Sequence, residues 1–481
     1  MVNRIALISY HNELNYGTML QAYALYRALK MQGVDSEYIT YQSSAPSLKR
    51  HLLQCLNRYL FHPKNLYDRV VRRKGSQDDF SFFKTDEFRT TVDAFNKWYE
   101  EYIPHTKCIF TEKSIHTISD SYSKFIVGSD QTWSPYRNQR KEIFDYFFLN
   151  FISESKKKYS YAPSFGTTEL SLNYLKNIRI SLKQFNKISC REKEIAVKIS
   201  NLIQKEVTPV VDPTLLLDRT EWEKVCKPMA DMPSKYILCY ILGEKKSISS
   251  FAEKLGKVEK LPVYYILTRP CYLEKENYLS GVGPGEFISL IMNASFVCTD
   301  SFHGVAFSLN FNVNFIAFKR FEDKDKYSQN SRIYNILHLT KMGNRLFDPK
   351  KPVEDYLQEE NFSNSNSILN EYRKKSLTYL KDALDSVASY CDAGQILPIT
   401  NTCCGCGACS AICKQNAIKI VKNKNGFYQA DYDFKKCINC GQCKEVCPFS
   451  EKEATEIDIK VDKLYAVKSN DASVLKKSSS G

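Results

Sequence analysis

Long apolar runs are missing from this sequence. Nowhere among its 481 residues do about 18 apolar residues follow one another, which is the length that a membrane-spanning helix needs. Residues 1–9 turn polar too soon for a signal peptide and instead predict a first buried strand. We therefore expect no transmembrane segment and a cytoplasmic protein, with a peripheral position at the inner membrane face as the alternative.

Signatures of nucleic-acid binding are also absent. The chain has no arginine-rich tail, no zinc finger and no aromatic RNA-binding motif, and its lysines are scattered. We therefore expect no nucleic-acid partner. The net charge of +14 instead permits anionic partners such as phosphates, acidic glycans or a membrane surface. A basic and apolar stretch at residues 49–74 fits either an anionic membrane or a solvated helix face, and we prefer the second.

Cysteine is abundant but unevenly placed. Nine of the 17 cysteines fall between Cys403 and Cys447, and the other eight are spread along the chain. In a reducing compartment such clustering indicates metal ligands rather than disulfides. The isolated cysteines, such as Cys190 and Cys298, are typical of small buried side chains.

The cysteine cluster consists of two runs with the same spacing, C-x2-C-x2-C-x3-C, and resembles the two-cluster bacterial ferredoxins. Between the runs, an alternating stretch with a turn at Asn425-Gly426 predicts a hairpin. Three thiolates two residues apart wrap one cluster, and the fourth reaches the other, so we predict two 4Fe–4S clusters with crossed ligands. The first would use Cys403, Cys406, Cys409 and Cys447, and the second Cys437, Cys440, Cys443 and Cys413.

Two features depart from the ferredoxin pattern. Lys414 stands where a proline usually follows the first run, and Cys404 is an extra thiol that we interpret as a non-ligand, although it could replace Cys403. Structural zinc is the competing interpretation, but zinc sites usually pair two C-x2-C units across a longer gap. The spacing leaves open whether the clusters carry electrons or only stabilise the fold.

Before the cysteines, predicted strands and helices alternate. Residues 5–9 and 37–41 predict strands around a helix at 18–31, a β-α-β unit that implies a parallel sheet, and a second series begins at residue 236. We therefore predict an α/β fold of two Rossmann-like halves with a cleft between them, followed by a small α+β ferredoxin-like domain. The expected boundaries are 1–218 and 219–346 for the halves, 347–396 for a helical connector, 397–455 for the ferredoxin-type domain and 456–481 for a tail.

Five short motifs follow one another in residues 1–340. They are NYGTMLQAYAL at 15–25, VGSDQTW at 127–133, SCREK at 189–193, VDPTL at 211–215 and TDSFHG at 299–304. In order and spacing they resemble the polysaccharide pyruvyl transferase family. The resemblance implies a GT-B-like fold and transfer of a pyruvyl group from phosphoenolpyruvate to sugar hydroxyls, which forms a ketal in surface-polysaccharide synthesis. The implied partner is a saccharide acceptor, free or lipid-linked.

Three candidate substrate-binding residues lie in the first half. Gly17 opens a predicted helix, where its backbone can approach a ligand or simply form a tight turn. Ser129 and Asp130 follow a predicted buried strand, and their hydroxyl and carboxylate can bind sugar or cap the next helix. The sequence does not choose between these interpretations.

Two residues are candidates for catalysis. Arg191 follows a predicted strand, where a guanidinium can hold a phosphate or carboxylate through two bonds or pair with Glu192 or Glu194. The family resemblance implies that it grips the donor. His303 is one of only 7 histidines and lies between a predicted strand and helix, where it can transfer protons or cap the helix. In pyruvyl transfer it would protonate the methylene carbon or take a proton from a sugar hydroxyl.

Ser301 departs from the family pattern. Members usually carry an arginine two residues before the histidine, as part of the donor site, whereas Ser301 offers one hydrogen bond and no charge. Either Arg332 or Lys319 supplies the missing cation, or the donor differs, or the site has drifted. We include Ser301 and Arg332 among the expected substrate-binding residues.

The tail at residues 456–481 resembles the opening of the deazaflavin-dependent hydrogenase/dehydrogenase β-subunit family, in which a two-cluster ferredoxin module often precedes this segment. The resemblance implies a further redox domain beyond this chain and a flavin- or deazaflavin-linked redox partner. Our main hypothesis is a pyruvyl transferase-like enzyme fused to an electron-transfer module. The alternative is an iron–sulfur oxidoreductase component whose first part only binds a saccharide or docks a partner.

Overall fold

The computed structural model describes residues 4–43, 86–243, 246–266, 277–323, 325, 328–358, 360–385, 403–423, 426–433, 436–437 and 441–447. The chain divides into two compact units, residues 1–152 with 157–386 and residues 153–156 with 387–481. The basic stretch at 49–74, the predicted ligand Cys440 and the tail at 456–481 lie outside the described residues. Within the described ranges, no helix combines the length and hydrophobicity needed to span a bilayer.

The first half of the first unit is built on a parallel sheet. Its strands are β1 (Ile5–Ile8), β2 (Ser36–Tyr38), β3 (Lys124–Val127) and β4 (Lys158–Ser160), in the order β2-β1-β3-β4. A parallel pair, β5 (Ile188–Cys190) and β6 (Val207–Pro209), continues it through a bridge between Tyr159 and Lys187. Bridges from β2 and Tyr41 to residues 105 and 110 extend the opposite edge, which gives the strand order of a Rossmann-like sheet.

Helices follow the strands of this half. They are α1 (Tyr16–Met31), α2 (Asp86–Tyr102), α3 (Lys141–Phe147), α4 (Leu172–Lys183), α5 (Lys193–Ile203) and α6 (Arg219–Glu223). The side chain of Asn15 caps α1 by accepting a hydrogen bond from the backbone N–H of Thr18 at 3.1 Å. Most side chains of α1 are buried, which identifies it as a central helix rather than a surface one.

The second half repeats the same architecture. Its elements are β7 (Ile237–Tyr240), α7 (Lys246–Glu259), β8 (Val263–Ile266), β9 (Tyr278–Leu279), α8 (Pro284–Met292), β10 (Phe296–Thr299), α9 (Phe302–Phe311), β11 (Asn314–Ala317) and α10 (Ser331–Leu339). The strand order is β11-β10-β7-β8-β9, and all pairs are parallel. The prediction of an α/β fold with two Rossmann-like halves is confirmed.

An aromatic contact joins the two halves. The ring of Tyr16, at the start of α1, stacks on Phe287 of α8 at 4.4 Å and meets Tyr240 of β7 edge-on at 5.7 Å. The Tyr16 hydroxyl donates a hydrogen bond to the carbonyl oxygen of Val282 at 2.8 Å. Because Tyr16 directly precedes Gly17, this contact fixes the start of α1 against the second half.

The helix that we expected to be a connector packs into the first unit. This helix, α11 (Ser363–Asp385), contributes Leu369, Leu380 and Ala383 to the same core as α1. The hydroxyl of its Tyr379 donates to the carbonyl oxygen of Ser160 at 2.9 Å. The polar composition that suggested a linker therefore describes only the solvent-facing side of an amphipathic helix.

The second unit contains short elements around the cysteine runs. They are α12 (Ala408–Ile412), β12 (Ile418–Lys422), β13 (Tyr428–Tyr432) and α13 (Gln442–Val446). The two strands pair antiparallel, with Ile418 opposite Tyr432 and Lys422 opposite Tyr428, which matches the predicted hairpin. Gly426 has a φ of 86° in the turn, a left-handed conformation that favours glycine.

We predict that Tyr16 stabilises the contact between the halves. Replacing Tyr16 with alanine should lower the free energy of unfolding by about 3–5 kcal/mol because a buried ring is lost. Tyr16→Phe should cost only about 1 kcal/mol, through the unpaired Val282 carbonyl. Urea unfolding followed by tryptophan fluorescence tests this, since the 3 tryptophans, Trp98, Trp133 and Trp222, are buried in the first unit. A loss for Tyr16→Ala no larger than that for the half-buried Tyr26→Ala would contradict it.

Candidate functional site

The carboxyl ends of the parallel strands carry most of the residues singled out in the sequence. Asp130 follows β3, Arg191 follows β5 and Asp212 follows β6. From the other sheet, His303 follows β10 in the first turn of α9. Loops at the carboxyl ends of parallel strands are the usual ligand-binding positions of α/β sheets. Contacts between these loops form one site from both halves.

A buried carboxylate, Asp212, lies at the centre of this site. Its Oδ2 atom forms an ion pair with Arg191 Nη2 at 2.6 Å, lies 3.4 Å from Ser129 Oγ and lies 3.8 Å from His303 Nε2. Its Oδ1 atom accepts hydrogen bonds from the backbone N and the Oγ1 of Thr214 at 3.0 and 2.7 Å. Burial alone would raise the pKa of Asp212, but Arg191, His303 and Thr214 outweigh burial and lower it. Asp212 is therefore ionised at neutral pH.

The imidazole of His303 lies directly against Gly17. A Cβ atom at position 17 would overlap the ring, so only glycine fits at this point of α1. The Nε2 atom of His303 is buried and has no hydrogen-bond partner. Burial lowers the pKa of His303 to about 4, although the carboxylate of Asp212 opposes the shift. The imidazole is therefore neutral at neutral pH.

Two buried guanidinium groups at the site have hydrogen-bond donors left over. Arg191 donates from Nη2 to Ser129 Oγ at 2.5 Å, while its Nε and Nη1 have no partner. Arg332 of α10 donates from Nη2 to Gln329 Oε1 at 2.5 Å, and its Nε has no partner. Arg345, a buried arginine elsewhere in this unit, has acceptors for all three of its nitrogens. Because an unsatisfied buried donor costs about 1–3 kcal/mol, the first two arginines favour an anionic ligand.

Most carboxylate oxygens of the site are already used internally. The Oδ2 of Asp130 accepts from Thr18 Oγ1 at 2.7 Å, and its Oδ1 accepts from the backbone N of Gln131 at 2.8 Å. Asp130 also has a φ of 61°, a strained conformation for a residue other than glycine. Glu192 is the exception, because Ser164 donates to its Oε1 while its buried Oε2 has no partner. The site therefore offers more free donors than free acceptors.

Arg332 lies near the other cationic and acidic groups of the site, and Lys319 does not. Gln329, to which Arg332 donates, lies 2.9 Å from the side chain of Gln131, the residue after Asp130, so Arg332 borders the site. Burial and repulsion from Arg191 lower the pKa of Arg332 to about 10. Lys319 is exposed and forms an ion pair with Asp323 at 2.6 Å. Ser301 is buried at the N-cap of α9. Of the two cations proposed to compensate for Ser301, the geometry therefore supports Arg332.

The cysteine runs of the second unit surround one small apolar core. Cys409 packs with Ile418, Ala430 and Tyr432. Half-buried cysteines from both runs border this core; they are Cys403, Cys413, Cys437, Cys443 and Cys447. Gly407 and Gly441 each follow the second cysteine of a run and precede a helix, with left-handed φ values of 78° and 72°. The described parts of the two runs therefore share one interior, and each has a left-handed glycine before its helix.

Comparison with known proteins identifies the first unit. The family model for polysaccharide pyruvyl transferase matches residues 15–320, which is more than half of the chain. The chain belongs to the polysaccharide pyruvyl transferase family. The matched range contains all five motifs and every residue of the site except Arg332 and its partner Gln329.

A second family model, the 4Fe-4S dicluster domain, matches residues 402–450. An uncharacterized ferredoxin from Methanocaldococcus jannaschii is 38% identical over 56 residues, which cover 12% of this chain and 71% of the ferredoxin. The chain is thus a fusion of a pyruvyl transferase family domain and a 4Fe–4S ferredoxin-type domain. The prediction of iron–sulfur rather than structural zinc is confirmed.

Solved structures similar to the chain include two sugar-nucleotide epimerases. UDP-GlcNAc 2-epimerase from Methanocaldococcus jannaschii has a TM-score of 0.45 at 10% identity, covering 78% of this chain and 99% of the epimerase. The UDP-GlcNAc 2-epimerase from Neisseria meningitidis, bound to UDP-GlcNAc, has a TM-score of 0.42 at 9% identity, covering 79% and 99%. The strand order described above, rather than this similarity, establishes the fold.

The cysteines present fit iron–sulfur clusters. A Cβ atom at Gly405, between Cys403 and Cys406, would lie 2.5 Å from the carbonyl oxygen of Tyr428, so the loop closes tightly enough to require glycine. Burial raises the pKa of Cys409, and the neighbouring thiols Cys403, Cys443 and Cys406 add to the shift. Thiols crowded in this way lose their protons on binding a metal, whose positive charge offsets the repulsion between the thiolates. Cys404, the interpreted non-ligand, and Cys406, a predicted ligand, are both exposed, so exposure alone does not distinguish them.

The sequence analysis missed three residues of the transferase site. Asp212 lies in the VDPTL motif, and its position after a strand was a usable signal. Glu192 was considered, with Glu194, only as an ion-pair partner of Arg191; in the structure the partner of Arg191 is Asp212. Gln329 lies outside the motifs, and only the fold brings it to Arg332.

We predict that stability decreases as the pH falls from 6.5 to 4. His303 and His11 are both buried with pKa values of about 4, below the ordinary 6.5, so protons bind preferentially to the unfolded chain in this interval. Through this difference in pKa, each histidine adds on the order of 3 kcal/mol to the free energy of unfolding above pH 6.5, and this contribution is lost by pH 4. His303→Gln should remove roughly half of this dependence, measured by urea unfolding at several pH values. Replacement of exposed His116 is the control, and an equal effect of both variants would contradict the assignment.

We predict that Cys404 is not a cluster ligand. Anaerobically purified protein should contain about eight iron and eight sulfide ions per chain. Cys404→Ser should keep this content, because the C-x2-C-x2-C-x3-C spacing of the first run is complete with Cys403, Cys406, Cys409 and Cys413. Cys409→Ser should lower the iron content and change the electron paramagnetic resonance spectrum of the reduced protein. Iron loss in Cys404→Ser, or none in Cys409→Ser, would reverse the assignment.

Proposed function

We propose that the first unit transfers a pyruvyl group from phosphoenolpyruvate to two hydroxyl groups of a saccharide, in the synthesis of a surface polysaccharide. The observation that carries the proposal is the pair of buried arginines with free donors, Arg191 and Arg332, beside the neutral imidazole of His303. A small ligand with more than one anionic group would satisfy these donors. Phosphoenolpyruvate carries both a phosphate and a carboxylate.

Donor binding would depend on the free guanidinium nitrogens. Arg191 is already fixed by Asp212 and Ser129, so its remaining Nε and Nη1 atoms are held in a constant direction. A preorganised guanidinium loses little conformational entropy on binding, and two N–H groups can bond to one phosphate or carboxylate. Arg332 would supply the cation that the family usually carries at the position of Ser301. Ser129 and Asp130 would then act mainly by positioning Arg191 and the start of α1.

The proposed reaction is balanced without a redox agent. The methylene carbon of phosphoenolpyruvate gains one proton and becomes a methyl group. Two sugar hydroxyls lose their protons and form two C–O bonds to the former enol carbon, while its bond to the phosphate oxygen breaks. One of the released protons balances the new methyl group and the other leaves with phosphate. The protein therefore needs a group that accepts and returns protons at this carbon.

His303 suits that task because it is neutral and has a free nitrogen. Its unpartnered Nε2 can accept a proton from a sugar hydroxyl and return it to the methylene carbon. Asp212, 3.8 Å from this nitrogen, would stabilise the protonated imidazole. Asp212 would thus hold Arg191 in place and support proton transfer by His303. Gly17 would contribute by leaving room for the ring.

The second unit would hold two 4Fe–4S clusters and carry electrons to or from a redox partner with a flavin or deazaflavin. Ketal formation is redox-neutral, so the two units would perform separate chemistry on one chain. Lipid-linked glycans are suitable acceptors, and a position at the cytoplasmic membrane face would bring the enzyme to them. The second candidate function, an iron–sulfur oxidoreductase whose first unit only binds a saccharide, predicts no release of phosphate from phosphoenolpyruvate.

We predict that Arg332, and not Lys319, binds the donor. Arg332→Gln should raise the dissociation constant for phosphoenolpyruvate at least tenfold, about 1.4 kcal/mol, because a charge-assisted bond is lost. Lys319→Gln removes a charge from the same half without touching the site and should change the constant less than twofold. Isothermal titration calorimetry measures both. Equal weakening by the two variants would show a general charge effect.

Turnover separates binding from catalysis. With phosphoenolpyruvate and lipid-linked glycans, wild-type protein should release phosphate, whereas His303→Ala should not, although it should still bind phosphoenolpyruvate within a few-fold of wild type. Phosphate release by His303→Ala at the wild-type rate would remove His303 from the mechanism. Binding without any release by the wild type would favour the second candidate function.

A further inference from the structure

An exposed aromatic pair lies near the turn of the hairpin in the second unit. Phe427 and Tyr428 are adjacent, and their exposed fractions are 53% and 55%. Tyr428 is the cross-strand partner of Lys422, whose ammonium lies 5.3 Å from the ring centroid. Adjacent exposed aromatic side chains are typical of surfaces that bind another protein.

The same surface lies beside the first cysteine loop. A Cβ atom at Gly405 would lie 2.5 Å from the carbonyl oxygen and 2.7 Å from the Cβ of Tyr428, so loop and strand are in close contact. Cys404 and Cys406, on either side of Gly405, are both exposed. Cys406 is a predicted ligand of the first cluster, and the other described ligands are half-buried or buried. The first cluster would therefore come nearest to solvent at this loop.

The charge near the turn is positive. Lys422 is exposed, and no carboxylate among the described residues forms an ion pair with it. The acidic residues described between residues 403 and 447 lie elsewhere: Asp431 is opposite Lys419 in the hairpin, Asp433 pairs with Lys436, and Glu445 is in α13. Complementary charge accelerates the encounter of two proteins and orients them.

We propose that these features form a docking face for an acidic electron-carrier protein, and that electrons pass through the first cluster. The docking face consists of Cys404, Gly405, Cys406, Lys422, Phe427 and Tyr428. The aromatic pair supplies the apolar centre of the interface, and Lys422 supplies its positive charge. The exposed cysteine loop supplies a short path for electrons between the first cluster and the partner. The proposal depends on the iron–sulfur clusters of the proposed function and not on pyruvyl transfer. In each encounter one electron leaves the reduced protein and enters its oxidised partner.

The test uses flavodoxin as an acidic one-electron probe and cytochrome c as a basic one. The full-length protein, loaded with iron and reduced with dithionite, is mixed with each oxidised probe in a stopped-flow spectrometer. Each flavin takes up one electron and one proton, and each haem takes up one electron. Binding of the oxidised protein to flavodoxin, measured by thermophoresis, gives a second readout that does not depend on electron transfer.

Three variants define the face. Lys422→Glu and Phe427→Ser alter it, and Lys419→Glu is the matched control, because residues 419 and 422 of one strand point to opposite faces. Lys422→Glu should slow the reaction with flavodoxin roughly tenfold at low ionic strength and should not slow the reaction with cytochrome c. Phe427→Ser should weaken flavodoxin binding at all ionic strengths. Lys419→Glu should change either quantity less than twofold.

Several outcomes would overturn the proposal. Equal slowing by Lys419→Glu and Lys422→Glu would show long-range attraction without a docking face. Wild-type kinetics in both Lys422→Glu and Phe427→Ser would place the contact elsewhere. Self-association of the wild type that Phe427→Ser abolishes, seen by sedimentation velocity, would assign the face to a second copy of the chain. A wild-type protein without iron would refute the clusters themselves, and iron analysis separates this failure from the others.

Discussion

The ion pair between Asp212 and Arg191 is the interaction on which the transferase site depends. It is almost completely buried, and the carboxylate also bonds to Thr214 and lies near His303. An unpaired charge at this depth would be strongly destabilising, so neither partner can be removed without cost to the other. The pair comes from the first half, and the histidine comes from the second. The complete site, with His303 beside this ion pair, therefore forms only when the two halves are packed together.

That packing depends on the start of α1. Tyr16 fills an aromatic pocket of the second half, and the next residue, Gly17, lies against His303. The start of α1 thus joins the halves through the large side chain of Tyr16. The absence of a side chain at Gly17 leaves space for the imidazole of His303. The unpartnered nitrogens of Arg191, Arg332 and His303 concentrate at this junction. Their cost to stability is the physical reason to expect that an anionic ligand belongs there.

Much of the fold, and the positions of several site residues, could be predicted from the sequence because strand patterns and motifs are local. The helix predicted at residues 18–31 is observed as α1, and His303 follows a strand and begins a helix as predicted, since apolar runs and turn residues determine these elements. Contacts between distant segments could not be predicted. Arg191 is paired with Asp212 rather than with its neighbour Glu192, because the parallel pairing of β5 and β6 brings their carboxyl ends together. The packing of α11 could not be predicted either. Its sequence contains many exposed polar and lysine residues between the apolar ones that are buried.

The most direct test of this account is nuclear magnetic resonance of the arginine Nε atoms during titration with phosphoenolpyruvate. If the site binds the donor through its unsatisfied guanidinium groups, the Nε signals of Arg191 and Arg332 should shift as these donors gain an acceptor. The Nε of Arg345, equally buried but already bonded to Glu360 at 2.7 Å, should stay in place. Unchanged signals from Arg191 and Arg332 under saturating phosphoenolpyruvate, or an equal shift of Arg345, would contradict the account.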